Sequence, residues 1–210
     1  MTIKQVCGKL IYALSPLNRR ANNIIRYELA SWVLRTLNLV DPKYISKIRK
    51  LKIKKNLKIN LGSGGKGLPD WVNFDMHAHP SDQSIALDIR RALPLADGSA
   101  DIILAEHVLE HLDVVDDVPF FLKECFRVLA YGGVLRVVVP DCEKYCMAYA
   151  DPDGYMFKVL GWDFETLDLF LKKSGFEKVE KLSYRVSVNQ DAAIDQENHA
   201  PYSLYVDALK

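Results

Sequence analysis

The run Gly62-Ser63-Gly64-Gly65-Lys66-Gly67 follows the apolar stretch Leu57–Leu61 and has the spacing G-x-G-x-x-G. Glycine permits a tight turn and lets backbone N–H groups come close to a ligand. The letters alone fit several ligands. A Walker-type phosphate loop is excluded, because no Gly-Lys-Ser/Thr ending follows. A dinucleotide site needs a helix directly after the glycines and an acidic residue about twenty residues further on. Here Asp75 follows Gly67 by only eight residues, and the interval holds Pro69 and Trp71. That spacing has no room for a helix plus a strand and argues against a nicotinamide or flavin site. Polar residues also end the next apolar runs: Asp75 after Trp71–Phe74, Asp88 after Ile85–Leu87, and Glu106 after Asp101–Ala105. In parallel α/β sheets ligands bind outside the carboxyl ends of the strands. Gly62, Asp75, Asp88 and Glu106 therefore point to one crevice along one sheet edge.

Other side chains could do chemistry beside that crevice. His107-Val108-Leu109-Glu110-His111 matches H-x-x-E-H, in which two histidines on one helical face bind zinc. No downstream third ligand stands out, and the string follows a buried strand, so no metal is expected and His111 reads as a surface or capping residue. Cys142 and Cys146 are close enough to share a metal, but no second pair or nearby histidine completes a site. Without a redox Cys-x-x-Cys, the four cysteines (Cys7, Cys125, Cys142 and Cys146) read as reduced cytosolic thiols. His107 is the candidate general base, because an ordinary imidazole titrates near physiological pH. Glu106 and Asp141 are the alternatives. Asp141 equally reads as the cap of a helix starting at Cys142-Glu143-Lys144.

The elements that must position these residues form an alternating pattern. Strands are expected at Leu57–Leu61, Trp71–Phe74, Ile85–Leu87, Asp101–Ala105 and Val134–Val139, and late strands at Val179–Ser183 and Ser203–Ala208. Helices are expected at Asp117–Leu129, stopped by Gly132-Gly133, and at Phe164–Lys173, capped by Gly175. Alternation of strand and helix predicts a parallel sheet with helices on both faces. Residues 1–45 read as helical, with Ile25, Leu29, Trp32, Val33, Leu37 and Val40 at helical spacing until Asp41-Pro42. Residues 1–58 hold fourteen Lys and Arg against two acids, a net of +12, and the remainder a net of −11. This divides the chain into a basic helical extension, residues 1–56, and an α/β domain, residues 57–210. The densest basic run, Lys47 to Lys55, reads as a solvated face or as a contact for anionic membrane within residues 47–58. No nucleic-acid reader motif is present, and no run of eighteen apolar residues exists. A cytoplasmic location, with peripheral membrane contact, follows as the expectation.

From about residue 57 onward the chain resembles the class I S-adenosylmethionine-dependent methyltransferases. Lys58-Ile59-Asn60-Leu61-Gly62-Ser63-Gly64 is similar to their first motif. Leu68-Pro69-Asp70-Trp71-Val72-Asn73-Phe74-Asp75 and Ala105-Glu106-His107-Val108-Leu109-Glu110-His111-Leu112 resemble the type 11 branch, in which a compact loop replaces most of the first helix. Phe126-Arg127-Val128-Leu129, Leu135–Pro140 and Trp162–Leu167 continue the likeness. The resemblance implies a Rossmann-like sheet, mostly parallel with a late antiparallel strand, and S-adenosyl-L-methionine as cofactor. It implies that Gly62 and Gly64 let the backbone pass the methionine part, with Asn60, Ser63 and Met76 also at the cofactor. Asp75 would meet the ribose hydroxyls, Asp88 and Ile89 the adenine, and Glu106 the methionyl group. Asn60 stands where an acid is common. Between Pro140 and Trp162 the chain is short, so either an open pocket or a lid supplied by the N-terminal helices is expected. The expected activity is O-methylation of a sugar, glycan or related small or lipid-linked acceptor. The alternatives are a non-catalytic adenosylmethionine-binding module docked through its basic N-terminus, and, ranked lower, an NAD-dependent oxidoreductase.

Overall fold

A computed structural model describes residues 19–78, 83–144 and 161–210. Contacts divide the chain into two compact units, Met1–Asp41 and Pro42–Lys210. The first contains helix α1 (Arg19–Val40). The second opens with helix α2 (Pro42–Lys52). Proline suits the first turn of a helix, where its missing N–H has no partner to lose, so Asp41-Pro42 ends one helix and starts the next. Ile48 and Leu51 on α2 are buried in the same cluster as the sheet residues, while Lys43, Lys47, Arg49, Lys50 and Lys52 stay exposed. Much of the basic run therefore lies on the solvent side of a helix that belongs to the α/β unit.

The sheet has seven strands: β1 (Leu57–Leu61), β2 (Val72–Asp75), β3 (Ile85–Ala86), β4 (Ala100–Glu106), β5 (Leu129–Pro140), β6 (Lys178–Leu182) and β7 (Ser203–Leu209). Their order is β3-β2-β1-β4-β5-β7-β6. The first five pair in parallel, and β7 runs antiparallel to both β5 and β6. This is the expected Rossmann-like arrangement. Helix α3 (Asp117–Val128) buries Val118, Phe121, Leu122, Cys125 and Val128, the face that its periodicity indicates. Helix α4 (Phe164–Lys173) begins where the Asp163 side chain accepts from the Thr166 N–H at 2.8 Å, and ends before Gly175 at φ +112°. Strand β5 starts earlier than expected. The helix stops at Val128, ahead of the glycines, and Leu129 already pairs with Ala100. Gly132 and Gly133 lie inside the strand, where the register shifts. A Cβ on Gly133 would meet the Ala130 carbonyl at 2.9 Å and the Asp101 carbonyl at 3.1 Å, so the close approach requires glycine.

The two faces of the sheet differ. On one, Ile59, Leu61, Phe74, Ile103, Ala105, Leu135, Val137, Val206 and Ala208 share a single apolar core with residues of α2, α3 and α4. The opposite face carries Glu106, Arg136, Tyr205 and Asp207, which lie in register rows across β4, β5 and β7. Over these strands the expected second helical layer is replaced by the segment from Ser183 to Tyr202, which contains two 3-10 turns. Fully buried Arg136 fixes that segment. Its guanidinium donates to Asp195 at 3.0 and 2.6 Å, to Asp207 at 3.0 Å, and to the carbonyls of Val186 and Ser183. Burial opposes the Arg136 charge, but Asp195 and Asp207 outweigh it, and its pKa is raised above the ordinary value.

Candidate active site

Strand β1 delivers the glycine loop to the carboxyl edge of the sheet. Gly62 and Ser63 donate their backbone N–H groups to the Phe74 carbonyl, at 2.8 and 3.1 Å. The loop thereby folds back over β2 instead of starting a helix, and no helix lies between β1 and β2. Gly62 has φ +73°, and a Cβ there would lie 2.5 Å from Val108 Cγ2. Gly64 at φ +56° donates its N–H to Asp75 Oδ2 at 2.8 Å. The other Asp75 oxygen accepts from the His77 N–H at 2.7 Å. A carboxylate oxygen accepts more than one bond, so Asp75 can be shaped by these two contacts and still accept from a pair of vicinal hydroxyls. Met76 follows it, half-buried, in the same turn.

Other expected cofactor residues are placed differently. Asn60 is buried, and its amide donates to Asn73 Oδ1 at 3.0 Å. Asn73 in turn bonds both backbone groups of Leu68. Asn60 thus braces the loop through its amide donor. Asp88 is buried, and its carboxylate is gripped by Arg90, with Nε on Oδ1 and a terminal nitrogen on Oδ2, both at 3.0 Å. As placed, it orders the turn that carries Ile89, which packs half-buried against the core.

At the end of β4 the structure assembles a cluster that the sequence shows only in part. Glu106 is buried, and its Oε1 accepts from the Gln196 N–H at 3.0 Å. The same oxygen lies 3.6 Å from His199 Nδ1, an ion-pair distance too long for a hydrogen bond. His107 turns the chain sharply at φ +53°, a conformation rare for a residue with a side chain, and donates its N–H to Val138 O. Its Nδ1 meets Glu110 Oε1 at 2.8 Å and its Nε2 meets Ser203 Oγ at 3.2 Å. Ser203 Oγ already donates to the His199 carbonyl at 2.8 Å, so it accepts from His107 Nε2. Both ring nitrogens of the expected base are therefore occupied. His199 differs: its ring lies 3.9 Å from that of His107, centroid to centroid, tilted by 58°, and its buried Nδ1 has no hydrogen-bond partner. Burial holds the His199 pKa below the ordinary histidine value. Charge on His107 acts the same way, and Glu106 opposes it.

The H-x-x-E-H string forms a 3-10 turn at Leu109–His111. Its glutamate serves His107. Asp141, the other candidate base, is buried with Oδ1 accepting from the N–H groups of Glu143 and Lys144, at 3.0 and 3.3 Å. It caps the turn that follows β5. Residues 145–160, where the short acceptor-side segment is expected, lie outside the described residues, as do Cys7 and Cys146. His199 and Gln196 were missed because they sit in a polar loop before β7 with no spacing to mark them, and Ser203 because it opens β7 as an ordinary strand residue. Lys66 Nζ, at 2.6 Å from Gln196 Oε1, and Lys58, at 2.8 Å from Asp191, tie that loop to the glycine-loop side.

Comparison with known proteins agrees with this geometry. Residues 70–137 match the family described as a methyltransferase domain. Over 68 residues the chain is 41% identical to a probable S-adenosylmethionine-dependent methyltransferase from Mycolicibacterium smegmatis, covering 30% of this chain and 25% of that protein. This match thus spans about a quarter of the relative's length. Among solved structures, a SAM-dependent methyltransferase from Archaeoglobus fulgidus is similar with a TM-score of 0.53 and 17% identity, covering 88% of this chain and 99% of that one. The 1,6-didemethyltoxoflavin-N1-methyltransferase of Burkholderia thailandensis, solved with S-adenosylhomocysteine, is similar with a TM-score of 0.51 and 12% identity, covering 93% and 92%. At such identities the structural likeness speaks for the fold alone. The α/β unit thus has the fold of the S-adenosylmethionine-dependent methyltransferases, and its residues 70–137 are similar to a methyltransferase domain.

Proposed function

We propose that this chain transfers a methyl group from S-adenosylmethionine to a hydroxyl of a sugar, glycan or related small or lipid-linked acceptor. The observation that carries the cofactor half is the 2.8 Å bond from the Gly64 N–H to Asp75, made across a β1–β2 step without a helix. A dinucleotide site requires that helix. Bound cofactor supplies a methyl carbon on a sulfonium, from which sulfur leaves with the bonding pair as a neutral thioether. The chain's own task is then to align and to move one proton. Alignment of reactants supplies roughly 7–11 kcal/mol. Asp75 would hold the ribose hydroxyls, and the Gly62–Gly64 backbone would pass the methionine part.

A hydroxyl acceptor must lose its proton as its oxygen bonds the methyl carbon. In our reading His199 takes that proton, because it is the imidazole of the cluster kept neutral and not committed to a partner at Nδ1. His107 positions it through ring contact and Ser203. The test has two arms. Calorimetric titration of the full chain should show binding of S-adenosylmethionine and S-adenosylhomocysteine but not of NAD, weakened in Asp75→Ala. Labelled cofactor should transfer alkali-stable label, as expected of an ether, to glycan or lipid-linked fractions. Alkali-labile label would instead mean a methyl ester. Cofactor binding with no label transferred to any fraction would favour the binding-module alternative.

A further inference from the structure

Helix α1 exposes its apolar side. Ile25, Leu29, Trp32, Val33, Leu37 and Val40 are 45, 57, 59, 45, 57 and 70% exposed. Their spacing places them in one stripe. Glu28, Ser31, Arg35 and Asn38 recur at helical spacing on the other side, with Ser31 buried and the rest half-buried. A helix that packs in a water-soluble core has the opposite arrangement. A contiguous apolar stripe left in water marks an interaction surface.

We propose that this stripe lies in the headgroup–acyl boundary of an anionic membrane. Interfacial helices pair an apolar face that carries tryptophan with a basic flank. Trp32 sits in the middle of the stripe, and Arg26 is exposed beside it. No described helix is long and apolar enough to cross a membrane, so α1 lies along the surface. Charge selects the partner. The unit Met1–Asp41 carries six basic side chains against two acidic ones, which suits phosphate headgroups and opposes stripe-to-stripe pairing of two copies. This surface is independent of the methyl-transfer reading.

The test uses the full chain and vesicles of phosphatidylcholine with or without phosphatidylglycerol. Flotation should show binding to the anionic vesicles, little to phosphatidylcholine alone, and loss as salt rises from about 0.1 to about 1 M. The double variant Leu29→Glu/Val33→Glu should bind at least about tenfold less. In wild type, brominated lipid mixed into the anionic vesicles should quench tryptophan fluorescence. Trp32→Phe, which keeps the stripe apolar, should still bind while losing that quenching. Absence of wild-type binding overturns the proposal. So does equal binding to neutral vesicles, or quenching that persists in Trp32→Phe. A dimer in light scattering that the double variant dissolves also overturns it, by making a second copy the occupant.

Discussion

Replacing Gly62 with alanine puts a Cβ 2.5 Å from Val108 Cγ2 at φ +73°. Left-handed backbone costs roughly 1–2 kcal/mol for a residue with a Cβ, and relief of the clash moves the loop away from Asp75. We expect Gly62→Ala to lower the melting temperature and to weaken adenosylmethionine binding at least tenfold, whereas Gly132→Ala, at φ +78° with nothing within 4 Å of its Cβ, should carry the backbone cost alone. Calorimetry with both variants checks this. His199 sets a pH dependence. Its pKa is lowered in the fold, so the folded chain binds fewer protons at this site than the unfolded chain as pH drops below about 6.5. The site's contribution to stability is therefore complete above that pH and falls as pH decreases toward the lowered pKa. His199→Gln should flatten this part of the stability curve and remove most turnover while leaving cofactor affinity within about twofold. His107→Gln should instead disturb the His199 limb of the pH–rate profile. If His107→Gln abolished turnover and His199→Gln did not, the two assignments would be exchanged.

The segment from Ser183 to Tyr202 takes the place of a helical layer over β4, β5 and β7, and it is held by one buried arginine. Removing one member of a buried charged group leaves its partners uncompensated and costs about 3–5 kcal/mol. Arg136→Met should therefore lower the unfolding free energy read from a urea titration by that much. Arg136→Lys should recover only part, since an ammonium cannot reproduce the planar fork that meets Asp195 through two nitrogens. Both variants should loosen the bond from Gln196 to Glu106 and with it the His199 position. The sequence made α4 legible to the residue, because Gly175 is a local stop; the Asp163 cap emerged only in the structure. The sheet was legible because apolar runs alternate with helical ones. The start of β5 was not, since pairing of Leu129 with Ala100 is tertiary and overrides the glycines as a helix stop. The site was legible where chain neighbours make it, at Gly62, Gly64 and Asp75. It was not legible where distant segments meet. Asn60 and Asp88 kept motif positions while their side chains turned to Asn73 and Arg90, and His199 reaches Glu106 only because Arg136 anchors its loop.

The whole molecule combines two compact units of opposite net charge, and each proposed ligand should leave its own footprint. The α/β unit, Pro42–Lys210, holds the glycine loop, Asp75 and the Glu106 cluster. The other unit holds α1 with its exposed stripe. A ligand that binds only the folded state at about a hundred times its dissociation constant adds about 2.7 kcal/mol of stability. For a chain of this size that corresponds to roughly 5–11 °C in melting temperature. Adenosylmethionine should produce that shift, and hydrogen exchange should slow at the glycine loop and the carboxyl ends of β1, β2 and β4, with the amides of α1 unchanged. Anionic vesicles should do the reverse, slowing exchange along α1 and leaving the sheet as it was. Salt separates the two effects: raising it from about 0.1 to about 1 M shortens the screening length from about 10 to about 3 Å, which should erase the vesicle footprint and spare the cofactor footprint. Protection of α1 by adenosylmethionine alone would instead overturn the assignment of one ligand to each unit.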